Sequence, residues 1–163
     1  MLGNIFKKIL YLSLKNKGIL QNVDSDTNNS EPILPDLEKN LEVIKGLLHE
    51  SSDVTIHEFN FGHDRRFKGA LIFINSIADK AEIHKNILQP LMYDVLLLQN
   101  NAEMDFTKID TIKKNLISIT DNLKVTLLSD LLDNLLAGAA ILLVNGSKEA
   151  LAIKSGKREA RSI

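Results

Sequence analysis

His49, His57, His63 and His84 are the side chains best suited to moving protons near neutral pH or to holding a metal. His57 and His63 lie six residues apart, with Glu58 and Asp64 beside them. A metal there needs one of those carboxylates to swing in, and no second ligand pair stands at a zinc-binding spacing. The expectation is solvated histidines and no metal. Asp64-Arg65-Arg66 sets two guanidinium groups side by side, which suits an anion or a partner's carboxylate. A charged loop tip accounts for the same residues without a ligand. Asp79-Lys80 follows an apolar run, where α/β folds place ligands, although the helix dipole alone favours an acid there. Asn145-Gly146 permits a close backbone approach to a ligand, or simply a turn. The ligand or interface candidates are therefore Arg65, Arg66, Asn75, Asp79, Lys80, Asn145 and Gly146. His63, Asp64 and Asp79 are the candidates for a hydrolytic acid/base team. Glycine-rich phosphate loops, G-x-S-x-G and H-E-x-x-H are absent. The chain has no cysteine, so disulfides, thiolate zinc sites, iron–sulfur clusters and cysteine nucleophiles are excluded. No catalytic residue and no cofactor are expected.

The 163 residues, 44% hydrophobic and 25% charged, suit one globular domain or two small lobes. The formal net charge of -1 hides an asymmetry. Residues 1–20 carry Lys7, Lys8, Lys15 and Lys17 and no acid. The C-terminal stretch is also basic, with Lys154, Lys157, Arg158 and Arg161. A mildly acidic body with few aromatic residues is a poor nucleic-acid binder. Basic ends suit an anionic membrane surface, and residues 4–15 have the pattern of a short amphipathic helix. No apolar run approaches the length of a membrane-spanning helix.

Residues 21–35 are rich in Asn, Asp, Ser, Thr and Pro and read as a linker, so that residues 1–35 form a basic arm and linker. The folded domain is expected over 36–163, opening at Asp36 as an N-cap. Leu37, Leu41, Ile44 and Leu48 mark a helical stripe. Val54 to Phe61 reads as a strand whose apolar residues change face midway, which a bulge or a twist would reconcile. Gly69 to Ile74 is an apolar run that fits a strand covered on both faces. A helix is expected from Ala78 to Leu88, with Ala81, Ile87 and Leu88 inward, and Pro90 stops it or opens the next turn. Residues 91–98 can continue as helix. Thr107-x-x-Asp110 resembles a capping box for a helix with Ile109, Ile112, Leu116 and Ile119 inward. Leu123 to Leu128 reads as a short strand, and Ser129 caps a helix that closes at Gly138. Ala139 to Val144 and Ala150 to Ile153 read as strands joined through Asn145-Gly146. The fold class is α/β, with a small mixed β-sheet of four to five strands flanked by helices.

The order of these segments resembles a known family. Leu37-Glu38-Lys39-Asn40-Leu41-Glu42-Val43-Ile44-Lys45 followed by Ser51-Ser52-Asp53-Val54 is similar to the opening of the A subunit of GerA-type spore germinant receptors. Gly69 to Lys80, then Ile87-Leu88-Gln89-Pro90-Leu91-Met92, is similar to that family's apolar strand, Asp-Lys helix start and Leu-x-Pro-Leu-Met segment. Leu135 to Gly146, Glu149-Ala150-Leu151 and Arg161-Ser162-Ile163 resemble its later strand-turn-strand block. The resemblance spans about residues 36–163. It implies the soluble N-terminal domain of a receptor subunit, acting with B and C subunits, and with self-association, in the spore inner membrane, the domain lying on the cytoplasmic side. It implies too that the chain is a truncated piece, because the family continues into a further lobe and membrane helices. The family usually carries Asp-Gly where this chain has Asn75-Ser76, a change that costs little only where φ at residue 76 is negative.

Three functions follow as expectations. A non-enzymatic domain for receptor assembly and signal relay leads. A small-molecule sensor binding near Asn75 and Asn145 is the second, and an uncharacterised hydrolase the third.

Overall fold

A computed structural model describes residues 31–48 and 51–155. Helix α1 (Leu37–Leu48) precedes strands β1 (Val54–Phe61) and β2 (Phe67–Ile74). Helix α2 runs as Lys80–Ile83, a π turn His84–Leu88 and Gln89–Met92. Next come α3 (Ile109–Asn115), β3 (Asn122–Val125), α4 (Leu128–Leu136), β4 (Ala139–Val144) and β5 (Ala150–Lys154). The five strands form one sheet in the order β1-β2-β4-β5-β3, and every neighbouring pair is antiparallel.

Both faces of the sheet are covered. On one, α1 and α4 lay Leu37, Leu41, Ile44, Leu131 and Leu135 against Ala70, Ile72, Ile141 and Leu143. On the other, α2 and α3 lay Ile83, Ile87, Leu91, Ile109 and Ile112 against Leu71, Phe73, Leu142 and Leu151. Each strand residue faces one layer or the other, so β2 and β4 read as unbroken apolar runs. The same alternation removes the need for a bulge in β1. Its pairing with β2 is continuous from Val54↔Ile74 to Phe61↔Phe67. Val54 and Ile56 serve the α1 layer, and Phe59 and Phe61 serve the α2 layer. The apolar residues change face because each half of the strand is buried on a different side.

Several boundaries differ from the sequence expectation. Residues 31–35 are packed rather than linker. Ile33 is 3% exposed, its N–H donates to the Thr126 carbonyl, and Pro32 bridges Leu127. Residues 1–30, 49–50 and 156–163, including the basic arm, His49 and Arg161-Ser162-Ile163, lie outside the described residues. Pro90 does not stop α2. A proline has no N–H to give the preceding turn, and the helix accommodates this with a π turn in which the Gln89 N–H reaches the His84 carbonyl. The inward residues are then Ile83, Ile87 and Leu91, whereas Ala81 is exposed. Beyond Met92 the chain forms 3-10 turns at Asp94–Leu97 and Asn101–Glu103 instead of continuing as α-helix. Thr107 makes no capping box; its N–H and hydroxyl both donate to Asp105 Oδ1. Strand β3 ends at Val125, because Leu128 already opens α4. Asp36 caps as expected, accepting the Glu38 and Lys39 N–H groups at 3.1 and 3.2 Å.

Gly138 closes α4 at φ 101°, outside the range L-residues adopt comfortably, and a Cβ there would stand 2.8 Å from Ile77 Cγ2. Gly138→Ala is therefore expected to lower stability by about 1–3 kcal/mol, read as a reduced urea midpoint with an unchanged slope.

Candidate functional site

Antiparallel pairing divides the sequence-predicted residues between two ends of the sheet. Arg65, Arg66, Asn145 and Gly146 lie at one end, where the Asn145 N–H donates to the Lys68 carbonyl at 2.9 Å. Asn75, Asp79 and Lys80 lie at the other, where the Asp79 N–H donates to the Ser155 carbonyl at 2.7 Å. An eight-residue strand separates the two groups by roughly 25 Å. Asn75 and Asn145 cannot meet one small ligand, and Asp79 cannot join His63 and Asp64 at a reaction centre.

Most of the candidates are engaged in holding the fold. Asn145 Oδ1 accepts the Leu37 N–H at 3.0 Å, satisfying a first-turn donor of α1. Gly146, at φ 92°, donates its N–H to the Pro35 carbonyl at 2.7 Å. The turn thus ties the entry of α1 to the end of β4. Asn75 donates to the Asp53 carbonyl from both its backbone N–H (2.8 Å) and Nδ2 (3.0 Å), while its Oδ1 accepts the Thr55 hydroxyl at 3.0 Å. Ser76 donates its N–H and hydroxyl to the Asp53 carboxylate. Ser76 has no positive φ, so a serine here carries no left-handed strain. Asp79 caps α2 through Ala81 and Glu82 N–H at 3.1 and 3.2 Å, and Lys80 opens that helix, exposed.

Arg65 and Arg66 part company. Arg66 Nη2 donates to the Ala102 carbonyl at 2.6 Å and the Met104 carbonyl at 3.0 Å, with its guanidinium 4.9 Å from the Phe67 ring centroid. It clamps the loop after α2 to the β1–β2 turn. Arg65 is exposed at φ 53°, next to Asp64 at φ 55°, a sparsely populated backbone for non-glycine residues. Among the described residues its guanidinium makes no ion pair or side-chain hydrogen bond. His63 Nε2 stands 3.2 Å from Asp64 Oδ2, and both are well exposed.

Sequence reasoning missed two features. A cavity of about 260 Å³ opens between the end of α4 and the β3 edge, floored by Ala139 and Ala152 and rimmed by Asn134, Asp121 and Lys154. Asp121 and Lys154 pair across the rim at 3.2 Å. Small residues at 137, 139 and 152 were its only signal, and in a strand they look like ordinary core. The second is the loop Tyr93–Asp105, whose Tyr93, Leu96 and Leu97 are 61%, 51% and 84% exposed. At its end the Asp105 carboxyl titrates below its ordinary value, chiefly because the Thr107 hydroxyl donates to it. Lys68 is held above its ordinary value, first by its hydrogen bond to Glu38. Among the described residues no group of three or more His, Asp or Glu could hold a metal, and no helix is long and apolar enough to cross a membrane.

Arg66→Ala is expected to speed amide exchange through residues 94–104 while leaving β2 and β4 protected. Unchanged exchange in that loop would show that the clamp does not hold it.

Residues 42–163 match the family described as Bacillus/Clostridium GerA spore germination protein. The chain is 28% identical over 131 residues to spore germination protein KA of Bacillus subtilis, covering 80% of this chain and 23% of that protein. It is 30% identical over 134 residues to spore germination protein GerLA of Bacillus cereus, covering 80% and 26%. It is 27% identical over 135 residues to the uncharacterized membrane protein YfkQ of Bacillus subtilis, covering 82% and 25%. The chain thus spans about a quarter of the length of these relatives. Its fold is that of the N-terminal domain of the A subunit of the Bacillus megaterium spore germinant receptor GerK3, with a TM-score of 0.67 at 22% identity, over 80% of this chain and 50% of that one. The family match covers most of the chain and the fold agrees with it: the protein belongs to the GerA family of spore germination proteins.

Proposed function

We propose that this lobe is a non-enzymatic part of a germinant receptor A subunit, acting in receptor assembly and signal relay beside B- and C-type subunits at the spore inner membrane, on its cytoplasmic side. The family match across residues 42–163 carries the reading. The geometry supports it. The candidate polar residues mostly cap helices and tie turns, so the lobe offers surfaces rather than a convergent acid/base centre among the described residues. Arg65, extended from a strained turn, is the charged group best placed to meet a partner's carboxylate. In a full-length A subunit carrying this lobe, removal of residues 36–155 is expected to abolish co-purification with the partner subunits and the nutrient response. Arg65→Glu, which alters no packed contact, is expected to weaken co-purification roughly tenfold. Retention of assembly and response after the deletion would refute the role.

The cavity between α4 and β3 favours a second reading, a small-molecule sensor. Its site would lie at the Lys154 end, away from Asn145. A ligand held there at a hundred times its Kd would add about 2.7 kcal/mol of stability and raise Tm. That rise should vanish in Ala139→Leu, which fills the floor. A rise that survives Ala139→Leu places the ligand elsewhere.

A further inference from the structure

The loop Tyr93–Asp105 is an apolar surface that the fold holds ready. Val95 is fully buried and anchors it. Asn101 Nδ2 donates to the Leu96 and Leu98 carbonyls at 3.0 and 3.1 Å, and Arg66 holds the Ala102 and Met104 carbonyls. With the backbone fixed on both sides, Leu96, Leu97 and Tyr93 stand in water. Exposed leucines are ordinary singly, but a grouped and preorganised set marks a docking surface. The loop also carries Asp94, Glu103 and Asp105 and no Lys or Arg, which disfavours an anionic lipid surface as its partner.

The complement is within this chain. Residues 1–20 hold four lysines and no acid, the reverse of the loop. At helical spacing Ile5, Phe6, Ile9, Leu10 and Leu12 share one face with Ser13, while Lys7, Lys8, Tyr11 and Lys15 share the other with Leu14. Such a face needs an apolar partner to be stable. The described chain begins at Glu31, whose carbonyl accepts the Leu128 N–H beyond the end of β3. That is the Asn145 end of the sheet, where the loop also lies. Residues 16–30 can span at most roughly 50 Å, enough to cross a sheet about 20 Å wide.

We propose that residues 4–15 dock as an amphipathic segment on Tyr93, Leu96 and Leu97, their lysines meeting Asp94 and Glu103. The absence of native cysteine makes the test direct. A nitroxide is attached at Asn4→Cys, on the polar face, in the full 163-residue chain, and amide signals are recorded. Loss of signal over residues 93–104, with the Asp79 end unaffected, is the expected result. Leu97→Asp should restore those signals without moving the urea midpoint, since Leu97 touches little else. Undiminished signals in the labelled chain overturn the proposal. So does loss seen only between labelled and isotope-labelled copies, which assigns the loop to a second copy. Loss of the labelled segment's own signals only on adding phosphatidylserine vesicles, with the loop unchanged, assigns the segment to lipid and overturns it equally.

Discussion

Two strands without a solvent face, β2 and β4, lie side by side and pair Gly69↔Val144 through Ile72↔Ile141. Nearly every side chain they carry is buried. An antiparallel sheet often leaves one face wet, but these two strands leave no such option, so helices must cover both sides. The α1–α4 layer and the α2–α3 layer follow from that requirement. Removing one large side chain from this centre would cost about 2–5 kcal/mol, a large share of a domain's total stability. The ion pairs joining α1 to the sheet, Lys68 to Glu38 and Lys45 to Glu58, are exposed and contribute little beside it.

Antiparallel pairing also decides what the polar residues do. Because β2 and β4 run in opposite directions, their C-terminal ends face opposite poles, and asparagines that look equivalent in sequence serve different jobs. Asn75 joins Asp53, Thr55 and Ser76 in a clamp at one pole. Asn145 receives the start of α1 at the other. Two exposed features lie outside these ties: Arg65 on its left-handed turn and the apolar loop after α2. Both sit at the pole of the β1–β2 turn, joined through Arg66.

Strand positions were legible because a short apolar run closed off by turn residues buries itself most fully as a covered strand. β1, β2, β4 and β5 fall within about two residues of expectation, and the helix stripe of α1 is buried as spaced. What sequence could not show was direction and depth. Strand polarity is not written in local pattern, so the separation of Asn75 from Asn145 was invisible. Ile33 lay within a polar stretch, and only a sheet edge with room for it turned that stretch into packed chain. The π turn before Pro90 changes which residues of α2 point inward, a phase shift that a regular helical period cannot anticipate. The exposed loop was hidden too, because Leu96 and Leu97 look like core until Val95 is seen to take the buried position.

Native-state hydrogen exchange tests the centre of this account most directly. If β2 and β4 form one doubly covered unit, amides of residues 70–73 and 140–143 exchange only by global unfolding, with one shared free energy and one shared denaturant dependence. Exchange of either strand through a lower-energy opening, with the other still protected, would contradict it.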